Sequence, residues 1–230
     1  MSQPPRPIRA DLSHIDTWLF DLDNTLYPAT SRLFDQIDVR IGQFIAELFD
    51  IGGREARKIQ KSYFREHGTT LRGLMDEHGI APEKFLEYVH DIDFSTLEPS
   101  AGLDAALTAL PGRKLIFTNA DVPYSRKILA RLGVAHHFEH VYDIVAANYV
   151  PKPFPAAYDI LLERHDVTPA RTIFFEDIAR NLVPAAALGM TTVWVRGANN
   201  WVLPGNEDAK PDYETNDLVA WLNAALNIDS

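Results

Sequence analysis

The sequence predicts an α/β fold: a doubly wound parallel sheet of the Rossmann-like type with an inserted helical domain. Two observations support this prediction. After about residue 100, short apolar runs alternate with amphipathic stretches, a pattern typical of parallel strands joined by helices. Before that point, one strand-like run is followed only by helical patterns. We therefore expect a core formed by residues 1–27 and 100–230 and a helical insert formed by residues 28–99.

The N-terminal part of the chain is predicted to contain one strand and four helices. Residues 17–22 are mostly apolar and aromatic and lead into polar residues, which indicates a buried strand. Apolar residues at positions 34, 37, 41, 44, 45 and 48 have the spacing of an amphipathic helix over residues 33–49. Gly52 and Gly53 end this pattern, and further helices are predicted over residues 54–66, 70–78 and 82–90.

The C-terminal part is predicted to alternate between strands and helices. Strands are expected over residues 114–118, 141–145, 172–175 and 191–195, and helices over residues 123–132, 155–165, 179–188 and 217–226. Residues 197–216 are rich in Asn, Gly, Pro and acidic residues and are expected to form a long loop. Because parallel sheets bind ligands at the carboxyl ends of their strands, polar residues at these ends are candidates for a functional site.

The composition of the 230-residue chain disfavours several classes of function. Lys and Arg total 22 and Asp and Glu total 32, and the net charge of −10 disfavours nucleic acid as a partner. No apolar run approaches the roughly 18 residues of a membrane helix, so no membrane association is expected. Residues 1–7 lack the apolar segment of a secretory signal, and the chain has no cysteine, so we expect a cytoplasmic protein.

Two carboxylates follow the first predicted strand. Asp21 and Asp23 are two residues apart in extended chain, so their side chains point the same way. At the end of a buried strand, such a pair concentrates negative charge and favours a bound cation. An Asp- and Asn-rich turn would give the same short pattern, so these two residues alone do not distinguish a site from a turn.

Three further strand ends carry polar side chains, in chain order: Thr118 and Asn119, then Lys152 between two prolines, then Glu176 and Asp177 with Asn181 four residues later. Each group alone is typical of a turn or a helix cap. Four polar strand ends in one parallel sheet instead indicate a common site, with donors for a phosphate group and carboxylates for a cation.

These four stretches resemble, in order, the four motifs of the haloacid dehalogenase-like hydrolase superfamily, over residues 18–195. The resemblance implies that Asp21 is the nucleophile and forms an aspartyl-phosphate, and that Asp23 is the general acid and base. It also implies that residues 28–99 are the helical cap of that family. Asp23 favours a phosphatase or phosphomutase over a dehalogenase, because an alkoxide leaving group needs a proton and a halide does not.

The resemblance also assigns the remaining site residues. Mg²⁺ is expected on the carboxylates of Asp21 and Asp177 and the backbone carbonyl of Asp23. Lys152 is expected to act in catalysis by neutralising the transferring phosphoryl group. The substrate is expected to contact Thr25, Thr118 and Asn119, and the metal ligands to be supported by Glu176 and Asn181. The family often has a second aspartate at the position of Asn181.

Two stretches look like the pyrimidine 5′-nucleotidase branch of this family: residues 21–28 and residues 67–74. In the second, Thr69, Thr70 and Arg72 are candidate donors to a base or ribose, while Tyr27, Phe34 or Tyr63 are candidates to stack on the base. The expected function is hydrolysis of pyrimidine nucleoside monophosphates. The alternatives are a phosphatase or phosphomutase for phosphoglycolate or a sugar phosphate, and a non-catalytic binding protein of the same fold.

A histidine-rich run occupies residues 136–140. Glu139 does not stand where the zinc helix of metalloproteases has its glutamate, and the run continues into a predicted strand. We therefore assign no zinc role to this run from its sequence.

Overall fold

The computed structural model describes residues 12–197 and 205–226, which contain one sheet of six parallel strands. The strands are β1 (Thr17–Phe20), β2 (Arg113–Phe117), β3 (His140–Tyr142), β4 (Thr172–Glu176), β5 (Thr191–Val195) and β6 (Tyr213–Thr215). Their order in the sheet is β3-β2-β1-β4-β5-β6. The predicted parallel α/β fold is thus confirmed. Residues 1–7, on which the prediction about a secretory signal rests, lie outside the described residues.

Within the described residues, five α-helices separate β1 from β2, and four α-helices follow β2. They are α1 (Leu33–Phe49), α2 (Gly53–Glu66), α3 (Thr70–His78), α4 (Pro82–Val89), α5 (Ala101–Ala109), α6 (Val122–Leu132), α7 (Pro155–His165), α8 (Ala179–Ala187) and α9 (Leu218–Ala225). No strand lies between residues 28 and 99, all of which are described. Within the described ranges, no helix has the length and apolar character needed to cross a membrane.

Both faces of the sheet are buried in hydrophobic clusters. The strands β1, β2 and β4 contribute to both clusters, because successive side chains point to opposite sides of the sheet. On one face, Phe20 and Phe175 stack with ring centroids 4.8 Å apart. On the other face, Leu19 packs with Phe117 and Phe174, and the last two rings are 5.7 Å apart. Side chains buried on both faces explain why β1 is a continuous apolar run rather than an alternating one.

The structure corrects three sequence predictions. Helix α5 was not predicted, because its alanine-rich segment has no pronounced apolar stripe. Strand β6 lies in the segment predicted to be a loop, and it pairs with β5 at the edge of the sheet. Strand β3 ends at Tyr142, earlier than predicted, because the Asp143 carboxylate accepts hydrogen bonds from the backbone N–H groups of Val122 and Ala146.

The helical insert has a hydrophobic cluster of its own, which includes Ile45, Leu74, Phe85 and Val89. The core contributes Ile144 to this cluster and so connects to the insert. A second connection is Arg180 of α8, a nearly buried side chain. Its Nη2 donates to the backbone oxygen of Phe64 at 2.9 Å and to that of Gly68 at 3.4 Å.

Candidate active site

The four polar stretches identified in the sequence meet at the carboxyl ends of β1, β2 and β4. Asp21 directly follows β1, Thr118 directly follows β2, and Glu176 and Asp177 end and follow β4. Lys152 reaches the same place from the loop after β3. The parallel arrangement explains this meeting, because each strand delivers its next residue to the same edge of the sheet.

Lys152 is the centre of the site and is 1% exposed. Its Nζ donates to Oδ1 of Asp21 at 2.7 Å, to Oε2 of Glu176 at 2.6 Å and to the backbone oxygen of Phe117 at 2.7 Å. These three acceptors use all three N–H groups of the ammonium. Burial alone would lower the pKa of Lys152, but the carboxylates of Asp21 and Glu176 raise it above its ordinary value.

Carboxyl groups crowd the same edge of the sheet. Oxygens of Asp21, Glu176 and Asp177 lie within 4.8 Å of one another. Burial and the charge of Glu176 raise the pKa of Asp21 to about 7, against the opposing effect of Lys152. Burial and Glu176 also hold the pKa of Asp177 well above its usual range. A cluster made only of oxygen ligands and short of positive charge fits a hard dication such as Mg²⁺.

Asp23 is held by hydrogen bonds from two tyrosines. Its Oδ1 accepts hydrogen bonds from the hydroxyls of Tyr27 and Tyr124, the latter at 2.7 Å. Burial raises the pKa of Asp23, and both hydroxyls oppose that rise. The ring of Tyr124 stacks on His90, a residue of the insert, with centroids 4.2 Å apart. Tyr27, one of three residues that the sequence suggested could stack on a base, is buried with its hydroxyl bound to Asp23.

Thr118 and Asn119 both line the site but differ in what they offer a ligand. The Thr118 hydroxyl accepts from the backbone N–H of Ala120 at 3.0 Å, which leaves its proton to donate. The Asn119 side chain instead holds the backbone of Lys152: its Oδ1 accepts from the Lys152 N–H at 2.9 Å and its Nδ2 donates to the Lys152 oxygen at 3.3 Å. Asn119 therefore positions the loop after β3 that carries Lys152.

A cavity of about 160 Å³ lies between the strand ends and the helical insert. The insert contributes mainly apolar side chains, among them Phe34, Ile37, Phe64, Phe85, Leu86 and Val89. Its polar contribution is Asp38, Gln60, Lys61, Thr69, Thr70 and His90. The cavity thus combines a charged floor with a largely apolar roof. The floor consists of the strand-end residues Asp21, Asp23, Lys152, Glu176 and Asp177, and the roof consists of the lining residues of the insert.

Four polar residues of the roof, Asp38, Gln60, Lys61 and Thr70, are joined by hydrogen bonds. Oδ1 of Asp38 lies 2.9 Å from Nε2 of Gln60 and 3.1 Å from Nζ of Lys61. Thr70 donates its hydroxyl to the backbone oxygen of Gln60 at 3.2 Å. Thr69 caps α3, where its hydroxyl accepts a backbone N–H at 3.1 Å and keeps its proton for a ligand.

Three predicted substrate contacts lie outside this cavity. Arg72 points to the surface of α3, where its Nε binds Oδ2 of Asp76 at 2.8 Å, a pairing typical of residues four apart in a helix. Tyr63 binds His78 through its hydroxyl, also outside the cavity. The hydroxyl of Thr25 is buried without a hydrogen-bond partner among the described residues, and Thr25 lines a different cavity.

The sequence did not reveal several residues that line the site: His90, Tyr124, Gln60 and Lys61. Tyr124 contacts Asp23 across 101 positions of sequence, so no local spacing relates them. Asn181 was foreseen, and it does line the cavity at the start of α8.

A family model of the haloacid dehalogenase-like hydrolases matches residues 15–189, which is most of the chain. Together with the fold and the four strand-end groups, this match shows that the chain belongs to that family of hydrolases.

Several curated proteins and many solved structures are similar to the chain. The fructose-1-phosphate phosphatase YqaB of Escherichia coli is 32% identical over 187 residues, 77% of this chain and 95% of that protein. Phosphate metabolism protein 8 of Saccharomyces cerevisiae is 25% identical over 191 residues, 75% of this chain but 59% of that longer protein.

Among solved structures, an L-2-haloacid dehalogenase from Xanthobacter autotrophicus matches with a TM-score of 0.60 and 17% identity, over 94% of this chain and all of its own. A phosphatase of the same family from Thermococcus onnurineus has a TM-score of 0.60 and 20% identity, over 94% of this chain and 99% of its own. At these identities, the two structures show a shared fold.

Proposed function

We propose that the chain is a Mg²⁺-dependent phosphomonoesterase, and that its substrates are pyrimidine nucleoside 5′-monophosphates. The observation that carries this proposal is the cavity itself, in which a largely apolar roof with aromatic rings faces a floor of catalytic carboxylates. A cytoplasmic location and the absence of a nucleic-acid partner stay predictions from composition.

The residues of the floor have distinct roles in the proposed reaction. Asp21 attacks phosphorus in line and forms an aspartyl-phosphate as the ester bond to the leaving oxygen breaks. Asp23 protonates that oxygen and later accepts a proton from the water that hydrolyses the aspartyl-phosphate. Lys152 and the hydroxyl of Thr118 stabilise the charge on the transferring phosphoryl group.

The oxygen ligands at the strand ends support the assignment of the metal. Asp21 and Asp177 would hold Mg²⁺ through their carboxylates and Asp23 through its backbone carbonyl, with Glu176 and Asn181 supporting them. The ion would offset negative charge on the phosphoryl oxygens and on the clustered carboxylates.

The roof of the cavity favours a planar base over a sugar. Phe34 offers a ring to a base, and Thr69 offers a hydroxyl proton to a base carbonyl. The hydroxyls of a sugar phosphate would lose hydrogen bonds against the same apolar walls. The carboxylate of phosphoglycolate would require a cation, and the ammonium of Lys61 already lies beside Asp38.

A second candidate function is a sugar phosphatase, because the relative from Escherichia coli is named a fructose-1-phosphate phosphatase. Both functions use the same floor and differ only in what the roof accepts.

Phosphate release from a panel of substrates with Mg²⁺ tests the proposal. We expect kcat/KM for UMP and CMP to exceed that for AMP and GMP by about ten- to a hundredfold, the range that pocket shape delivers. UMP and CMP should also exceed fructose 1-phosphate and phosphoglycolate. Asp21→Asn is the inactive control, and chelation should abolish release until Mg²⁺ is restored.

Two variants of the insert connect the result to the cavity. Phe34→Ala should lower kcat/KM for UMP more than for fructose 1-phosphate, whereas Arg72→Ala, outside the cavity, should change neither by more than about twofold. A panel in which a hexose phosphate or phosphoglycolate exceeds every nucleotide would contradict the nucleotidase proposal and favour the second candidate.

A further inference from the structure

Two histidines and an aspartate form a cluster on the surface of the core, and none of them lines the active-site cavity. Asp104 lies in the first turn of α5, while His136 and His137 lie in a 3₁₀ turn after α6. Nε2 of His137 is 2.7 Å from Oδ1 of Asp104, and Nε2 of His136 is 3.3 Å from the same oxygen. The two imidazole rings lie side by side, with centroids 3.9 Å apart.

The separations between these atoms suit ligands of one small ion. With bonds of about 2.0–2.2 Å and tetrahedral angles, two ligand atoms on Zn²⁺ lie about 3.3–3.5 Å apart. The His136–Asp104 separation of 3.3 Å matches this value, and the His137–Asp104 separation must open by about 0.7 Å to reach it. The side chains of Asp104 and His136 are 45% and 65% exposed, so both have room to rotate.

The donors select the class of ion. Two imidazole nitrogens and one carboxylate oxygen favour Zn²⁺, Co²⁺ or Ni²⁺ over Mg²⁺ and Ca²⁺, which prefer oxygen. His137 is mostly buried, and its backbone N–H donates to the oxygen of the buried Val134 at 3.1 Å, so one ligand is already placed by the core. The exposed side of the cluster leaves a fourth position to water.

The geometry points to a second metal site, in which Asp104, His136 and His137 bind a transition-metal dication such as Zn²⁺. The site does not depend on the proposed phosphatase activity. It reverses the interpretation of the histidine run from sequence, because the third ligand comes from a separate helix, 33 positions before His137. A bound ion would join α5, the first helix after the insert, to the turn after α6, and so stabilise the core.

Calorimetric titration of the full chain with Zn²⁺ tests this site. All proteins used in this titration carry the Asp177→Asn substitution, which weakens competing Zn²⁺ binding by the active-site carboxylates. Adding His136→Ala or Asp104→Asn should remove one Zn²⁺ from the stoichiometry or weaken its binding at least tenfold, about 1.4 kcal/mol. Adding His140→Ala, the matched control, should leave binding unchanged, because that half-exposed histidine lies outside the cluster.

Thermal unfolding gives a second measurement. Zn²⁺ should raise the midpoint of the Asp177→Asn protein and of its His140→Ala variant, but not of its His136→Ala variant. Removing the exposed His136 side chain costs little packing, so this variant should fold. Equal Zn²⁺ affinity and equal midpoint shifts with and without His136 would overturn the site. An equal loss in the His140→Ala variant would also overturn it, since any surface histidine would then serve.

Discussion

At the scale of the residue, Asp23 has the most informative surroundings. Its Oδ1 accepts hydrogen bonds from the hydroxyls of Tyr27 and Tyr124, and the ring of Tyr124 stacks on His90 of the insert. A carboxyl group that must deliver a proton to the leaving oxygen needs a defined orientation, and these contacts restrict its rotation. Tyr27 and Tyr124 therefore act as positioning residues for the general acid of the proposed reaction.

Tyr124→Phe tests this role through its dependence on the leaving group. Poor leaving groups such as alkoxides need the proton, so we expect kcat/KM for a nucleotide, which reports the steps up to departure of the leaving group, to fall about tenfold, within the contribution of general acid catalysis. Hydrolysis of p-nitrophenyl phosphate, whose leaving group is stable as an anion, should change by less than about threefold. Steady-state kinetics on both substrates measure the difference.

Tyr142→Phe is the matched control. It removes a hydroxyl that donates to the backbone of Ala157 at 3.0 Å in the core and does not contact Asp23. Equal losses on both substrates in the Tyr124→Phe protein would contradict the positioning role, because a general loss of stability does not distinguish leaving groups.

The residues of the floor could be foreseen and those of the roof largely could not. Asp21 and Asp177 stand next to strand ends, so their sequence position determines where they meet. Arg72 and Thr69 stand three residues apart on the same segment, yet only Thr69 reaches the cavity. Their difference depends on the rotation of α3 against the core, which local spacing does not specify.

At the scale of the element, the contact between α2 and α3 depends on a residue without a side chain. A Cβ at Gly73 of α3 would lie 2.5 Å from Cγ of Tyr63 on α2, closer than real atoms approach. Gly73 therefore allows the two helices to pack at their observed distance. The sequence pattern placed both helices correctly but gave no indication of this close approach.

Gly73→Ala should destabilise the chain by about 1–3 kcal/mol, the usual cost of overpacking, with Tyr63 forced to move. Urea unfolding measures the change. Gly53→Ala, at the start of α2, is the matched control, because a Cβ there meets nothing within 4 Å. That control should be neutral or stabilising by about 0.4–1 kcal/mol. A Gly73→Ala protein as stable as its parent would show that the helices repack without cost.

Element prediction succeeded where apolar periodicity was strong and failed where it was weak. The bounds of α1 and α3 agree with the predicted ones. Helix α7 is the exception, since its bounds also agree although its apolar stripe is weak. Helix α5 is rich in alanine and strand β6 has only three residues at the edge of the sheet, so neither needs a pronounced apolar pattern.

At the scale of the whole molecule, Arg180 connects the charged floor of the cavity to the insert. It lies next to Asn181 on α8, and its guanidinium binds two backbone oxygens at the end of α2 and in the turn that follows. A cation at the C-terminal end of a helix is favourable. The same turn packs closely against the loop that carries Lys152. A Cβ atom added at Gly68 in this turn would lie only 3.0 Å from the ring of Phe154.

Arg180→Met should loosen the insert without removing any group from the floor. Hydrogen bonds from a charged donor contribute about 1.5–3 kcal/mol each, so we expect faster hydrogen–deuterium exchange at residues 64–68. We also expect KM for the substrate to rise about tenfold. Arg164→Met, which loses a comparable bond to the backbone of Ala146 within the core, is the control. Unchanged exchange at residues 64–68 would contradict the connection.

The position of β1 in the sheet determines the order in which the molecule can be assembled. Thr17 pairs with Arg113 on one side and with Thr172 on the other, so both neighbours of β1 come later in the chain than the entire insert. During synthesis, the four helices of the insert are complete before β1 has any strand to bond with. The strand that leads into Asp21 is made before either of its neighbours and waits for β4 before its second edge is paired, because such distant pairings form late.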